Sequence, residues 1–339
     1  MQHHLLSFSM LGSHFIQPHL APGGATTDPL HVGRQAHSMA NPYDIAAEDY
    51  SQLRPPYPHD ALTYIASHLP SAPSLSLSKT RPLINNDAIG YSALRPSPHK
   101  IIDLNNTSNP SSTIDLVDIG SGNGFFLWQL ARFLDPTQRV TITAVEPSSA
   151  MRASFHHERF KANLPSQWSC ELVDASAEEL PLTSSHYNAV ACAQAWHWLD
   201  AQKVSKELGR IMLPGSPVFI IFNQLNVEFA WIKRLTRIMR SGDIHRSDKP
   251  PRLSPDFTTP TLHSTSFTHC LTPQQVLALG RTRSSYLRSS PSGREHMQNN
   301  LRWYIYDHMG FCDEQLIELP YLCFVWLAHY QPINSMRSS

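Results

Sequence analysis

Long apolar runs are missing from this 339-residue sequence. A membrane-spanning helix needs about 20 consecutive apolar residues. Nothing here approaches that length, so no membrane partner is expected. An excess of charge is missing too: Lys+Arg and Asp+Glu each number 27, which leaves a formal charge of zero. Nucleic-acid binders usually carry a basic surplus that neutralises phosphates, so no nucleic acid is expected. Cysteine is scarce and odd in number, at Cys170, Cys192, Cys270, Cys312 and Cys323, without a C-x-x-C pair. This argues against a disulfide framework and against a zinc site, and no metal is expected. A cytoplasmic location fits that usage best. A secretory leader is not evident either. Met1–Met10 has no Lys or Arg ahead of a short, His-interrupted apolar patch.

Apolar residues make up 41% of the chain, enough to give one large α/β domain or two modest ones a core. Residues 1–38 hold six histidines among Pro, Gly and Ser without periodicity. They read as a disordered tail, with a metal-binding tail as the alternative. Residues 39–69 read as lid helices, Asp44–Tyr50 and Asp60–Leu69, separated by Arg54-Pro-Pro-Tyr-Pro58. Residues 70–113 are rich in Ser, Pro and Asn and read as an insertion. An alternating pattern then begins, with strands at Ile114–Ile119, Val140–Val145, Trp168–Val173, Tyr187–Ala193 and Pro217–Phe222. Between them fall a helix at Phe125–Leu134, one capped by Ser148, and one with Val204, Leu208 and Ile211 on a single face. Strand and helix at this spacing imply an α/β fold with a parallel, doubly wound sheet over 114–223. Residues 224–315 read as a mixed substrate or cap segment, with Thr272-Pro-Gln-Gln starting a helix. A closing strand, Leu319–Leu327, falls in 316–330, and 331–339 is a tail.

The first strand runs into Asp118-Ile-Gly120-Ser121-Gly122-Asn123-Gly124 and opens a helix. Glycines there let the backbone turn tightly and approach a ligand, and the helix N-terminus offers free N–H groups. A dinucleotide loop of the form G-x-G-x-x-G needs a third glycine where this chain has Phe125, which would block close helix–strand packing. Glu146 ends the second strand 22 residues after Gly124. That is where a carboxylate accepts hydrogen bonds from ribose hydroxyls, although a surface role beside Pro147 is the alternative. Asp174-Ala175 follows the third strand, either at a ligand or capping the next turn.

The form D-x-G-x-G-x-G resembles the first motif of class I S-adenosylmethionine-dependent methyltransferases. The run Gln194-Ala195-Trp196-His197-Trp198 after the fourth strand resembles the A-Q-A-F-H-W signature of a subgroup in the methyltransferase type 11 domain family. Asn41-Pro-Tyr43-Asp44 and Tyr50…Arg54-Pro-Pro-Tyr57-Pro58 are similar to that subgroup's N-terminal segment, and Leu208–Gly215 to its helix-to-strand turn. The usual Pro-Gly-Gly of that turn is Pro214-Gly215-Ser216 here, and the 70–113 insertion is longer than the family norm. The resemblance implies a Rossmann-like, mainly parallel seven-stranded sheet with an antiparallel closing strand and a helical substrate-side elaboration. It implies S-adenosyl-L-methionine as cofactor, held by Asp118, Gly120, Ser121, Gly122, Asn123, Gly124, Glu146, Pro147, Met151, Gln194, Ala195 and Trp196. Asp174 and Ala175 would meet the adenine, and Tyr50 and Arg54 would act from the lid. His197 is the candidate general base, because imidazole titrates near neutrality. Trp198 and Tyr43 are candidate substrate contacts, and Arg281, Arg283 and Tyr286 could bind an acidic acceptor. The expected activity is methyl transfer to a small molecule. A nucleic-acid methyltransferase and a non-catalytic nucleotide-binding protein remain as alternatives.

Overall fold

The computed structural model describes residues 53–70, 113–240 and 245–333. The expected helix at 44–50, the tail and the insertion lie outside them. In chain order the described elements begin with α1 (His59–His68), β1 (Thr113–Ile119), α2 (Phe125–Leu130), β2 (Arg139–Val145), α3 (Ser149–Ala162) and β3 (Trp168–Val173). Then come β4 (Ala189–Ala193), α4 (Ala201–Ile211), β5 (Pro217–Leu225), α5 (Ala230–Ile238) and β6 (Thr261–Leu271). The last are α6 (Pro273–Arg281), α7 (Ser284–Leu287), α8 (Pro291–Trp303) and β7 (Ile317–His329).

The strands form one seven-stranded sheet in the order β3-β2-β1-β4-β5-β7-β6. The first five are parallel, and β7 runs antiparallel to both neighbours. Alternation along each strand distributes the core. Ile114, Leu116, Phe219 and Ile221 face α1, α2 and α3, whereas Val117, Ile119, Ile220 and Phe222 face α4. Helix α4 buries Val204, Leu208 and Ile211 completely on the expected face. Each such side chain contributes about 1.5–3 kcal/mol of apolar transfer free energy. Ser148 caps α3 by accepting from the Met151 N–H at 3.3 Å, and Thr272 and Gln275 form a reciprocal capping box on α6. A third apolar cluster sits beneath α5, α6 and α8 and includes Leu53 and Tyr321.

Two expectations needed correction. The helix after the glycine loop is α-helical only to Leu130 and then tightens into a 3₁₀ turn at Ala131–Phe133. The one antiparallel strand of the closing end is β7, as expected, but it lies inside the sheet rather than at its edge. Strand β6, at the sheet edge, is the one that the sequence pattern did not indicate.

Candidate active site

The carboxyl ends of the parallel strands converge on the glycine loop, where open α/β sheets bind ligands. The loop is anchored to β2, because Gly120 and Ser121 both donate N–H bonds to the Val145 carbonyl, at 2.9 and 3.0 Å. Gly120 has φ +66°, and a Cβ there would fall 2.5 Å from the Cβ of Ala195, so only glycine allows β1 and β4 to meet. Gly122, at φ +58°, has nothing within 4 Å of such a Cβ and borders an open cleft. The Trp128 indole N–H donates to the Asn123 carbonyl at 3.0 Å and fixes the far side of the loop, next to Gly124.

Glu146 is buried and ties two backbones together. Its carboxylate accepts from the Gly122 N–H at 2.9 Å and from the Ser148 N–H at 2.8 Å. Asp118 is only 1% exposed. Burial, and then the Glu146 charge, push its carboxyl well above the usual carboxylate range.

The cleft encloses about 570 Å³, counting its open mouth. Asp118, Gly120, Ser121, Gly122, Asn123, Gln194 and Arg54 all line it. Gln194 adopts φ +60° at the end of β4 and donates to the Asn223 carbonyl at 3.1 Å. The Arg54 guanidinium donates to the Thr282 carbonyl at 2.8 Å, which joins the N-terminal segment to the end of α6. The Asn223 side chain donates to the Pro56 carbonyl at 3.1 Å and holds that segment beside the cleft.

The remaining candidates lie elsewhere. Asp174 is largely exposed and its carboxylate is held by Arg152 at 2.6 Å, while Ala175 packs into the α4-side core. Pro147 is exposed and Met151 is buried in the first turn of α3. The Trp196–Trp198 run, after β4, is a 3₁₀ turn. Trp196 and His197 therefore line a different cavity, on the α4 side of the sheet. Trp198 is exposed, with the Arg288 guanidinium 4.8 Å from its ring centroid. Tyr43 and Tyr50 lie outside the described residues. Arg283, expected in a substrate segment, lines the glycine-loop cleft, but Arg281 and Tyr286 do not. Tyr57, Asn223 and Tyr321 also line it and were missed. Asn223 had a readable signal, because Asn223-Gln224 interrupts an otherwise apolar strand.

Comparison with known proteins decides the family. A model described as "Methyltransferase domain" matches residues 117–220. An uncharacterized methyltransferase of Mycobacterium tuberculosis (strain ATCC 25618 / H37Rv) is 30% identical over 239 residues, covering 69% of this chain and 90% of that one. The chain belongs to the methyltransferase domain family. It is a class I S-adenosylmethionine-dependent methyltransferase by that membership and by its sheet order. An uncharacterized methyltransferase of Schizosaccharomyces pombe is 25% identical over 187 residues, 54% of this chain and 70% of that one. A solved structure from Anaeromyxobacter dehalogenans, provisionally named a type II methyltransferase, aligns at TM-score 0.48 and 17% identity, over 82% of this chain and 99% of that one. The family match covers β1 to β5 and the glycine loop; the cleft residues Arg54, Asn223, Arg283 and Tyr321 fall outside it.

Proposed function

We propose that this methyltransferase binds S-adenosylmethionine in the glycine-loop cleft and transfers its methyl group to a small-molecule acceptor. One observation carries the reading. Four buried side-chain atoms, Asp118 Oδ2, Ser121 Oγ, Asn123 Nδ2 and Asn223 Oδ1, have no hydrogen-bond partner among the described residues, and all four residues line this cleft. Leaving such a group unsatisfied costs about 1–3 kcal/mol, so a ligand that satisfies donors and acceptors together is strongly favoured. An amino-acid moiety does so: its ammonium suits Asp118 and Asn223, and its carboxylate suits Ser121, Asn123 and the guanidiniums of Arg54 and Arg283.

The cofactor, when bound, supplies an electrophilic methyl on its sulfonium. The protein's own work is to orient and to exclude water. Glu146 holds the Gly122 amide and stands at the end of β2, where ribose hydroxyls are read. Asp174 and Ala175, at the end of β3, are assigned to the adenine edge, with Arg152 holding the carboxylate in place. Tyr50 and Arg54 are assigned to closing the cleft from the N-terminal side, and Tyr43 and Trp198 to the acceptor. We assign no proton transfer to His197, whose ring lines the other cavity.

Calorimetric titration with S-adenosylmethionine, S-adenosylhomocysteine and NAD should show binding of the first two only. Labelled methyl groups incubated with fractionated cell extract should appear in the small-molecule fraction. Binding of NAD, or label in the nucleic-acid fraction, would refute the assignment.

A further inference from the structure

We infer that the face of the sheet opposite the glycine loop carries a second binding site, suited to a planar aromatic anion. The cavity there encloses about 930 Å³, counting its wide mouth, and shares no lining residue with the glycine-loop cleft. Its floor is aromatic. Trp196, Phe222 and Trp326, contributed by the turn after β4, by β5 and by β7, are 6%, 3% and 4% exposed. The His245 ring lies flat on Phe222, with centroids 3.5 Å apart and planes 16° from parallel. Flat aromatic surfaces favour a flat aromatic guest.

The wall carrying His245 is fixed to the sheet. The buried Gln224 side chain donates to the His245 carbonyl at 2.9 Å and accepts from its N–H at 2.6 Å. Two bonds from one amide set where the segment leaves β5, and the loop beyond them carries three cations to the lip: Arg246, Lys249 and Arg252. Asp248 neutralises Arg246 through two bonds, of 2.7 and 2.5 Å. Lys249 and Arg252 are exposed and form no ion pair among the described residues. Two uncompensated cations above an aromatic floor select both features at once. A neutral aromatic would cover the floor and leave the cations unused, while a small inorganic anion would reach the cations and leave the floor uncovered. The negative group is a carboxylate or a phosphate.

The test uses the full chain and three probes: 2-naphthoate, 2-naphthyl phosphate and neutral 2-naphthylmethanol. At least one anion should bind, and the alcohol should bind far more weakly. The better anion identifies the group that the site takes. The double variant Lys249→Glu with Arg252→Glu should weaken that binding about tenfold or more and should steepen no further with salt. Its melting temperature should be unchanged, because both side chains are exposed. Equal affinity for the alcohol, wild-type affinity in the double variant, or displacement of the probe by S-adenosylhomocysteine would each overturn the proposal. The first two outcomes are independent of whether the glycine-loop cleft holds the cofactor.

Discussion

Replacing Gly122 with alanine should separate the stability of the glycine loop from its use. The residue sits at φ +58°, where an L side chain is strained, yet an added Cβ meets nothing within 4 Å. The backbone penalty is roughly 1–2 kcal/mol, and about 0.4–1 kcal/mol returns because alanine stiffens the unfolded chain. The net loss is about 0–1.6 kcal/mol, or up to about 6 °C in Tm for a domain of this size. The ligand should feel more. Gly122 lines the cleft, and a methyl group in the space proposed for the cofactor should cost about 1–3 kcal/mol of overpacking. That corresponds to about 5- to 150-fold weaker binding of S-adenosylhomocysteine by calorimetry. The control is Gly215→Ala, in the turn between α4 and β5. Gly215 has φ +83° and equally open surroundings but does not line the cleft. It should show a similar thermal loss with unchanged affinity. If Gly122→Ala binds as the wild type does, or Gly215→Ala loses affinity to the same extent, the placement of the ligand against this loop is wrong.

Glu146→Gln gives one of the Gly122 and Ser148 N–H groups a neutral acceptor and leaves the other facing an amide NH2 that cannot accept. It should cost about 1.5–3 kcal/mol in urea denaturation and should also weaken S-adenosylhomocysteine. Asp118→Asn should make the ligand-free protein relatively more stable as pH rises. A carboxyl whose folded pKa is raised contributes stability that is complete below its unfolded pKa, about 3.9, and is lost as pH climbs through the folded value. Denaturation across pH 4–9 should therefore show the wild type falling away from the variant, and parallel curves would contradict the buried-charge account. Leu208→Ala, at a fully buried position on α4, should cost about 2–5 kcal/mol and leave the affinity of the remaining folded protein unchanged. Arg152→Ala breaks the pair with the exposed Asp174 carboxylate and also the part-buried bond from the guanidinium to the Glu146 carbonyl at 2.9 Å, and should cost about 1–2 kcal/mol.

The parallel half of the sheet was legible because its central strands are largely apolar, its edge strand β3 alternates buried and exposed residues, and well-signalled helices separate them. Strand β3 begins and ends where its residues predict, and β5 continues three residues past its apolar run into Asn223, Gln224 and Leu225. Strand β6 was hidden for the opposite reason. Its sequence, Thr-Leu-His-Ser-Thr-Ser-Phe-Thr-His-Cys-Leu, alternates small polar groups on a half-exposed edge and carries little apolar signal. The glycine loop and Glu146 were readable as local motifs. Tyr57 and Tyr321 were not, because distant segments bring them to the cleft, while Asn223 showed only as a polar break in an apolar strand and Arg283 only as a cation of the substrate segment. The placement of His197 turned on local geometry. Reading Gln194–Trp198 as the rim of the cofactor cleft assumed that the strand's orientation carried on. Instead Gln194 has a left-handed backbone and the next residues wind into a 3₁₀ turn, which sends the imidazole to the other face.

The position of β7 also sets the order in which the sheet can be completed. Strand β6 ends at Leu271, but β7, its only neighbour among the described strands, starts at Ile317. At a synthesis rate of about 5–20 residues per second, β6 and the free side of β5 wait about 2–9 s for the strand that joins them. Through that interval the nascent chain presents two unpaired strand edges, the type of surface that recruits other chains. A break anywhere before β7 makes the interval permanent. The last of the described strands is thus the one that seals this end of the sheet, and a chain that stops before it keeps both edges open.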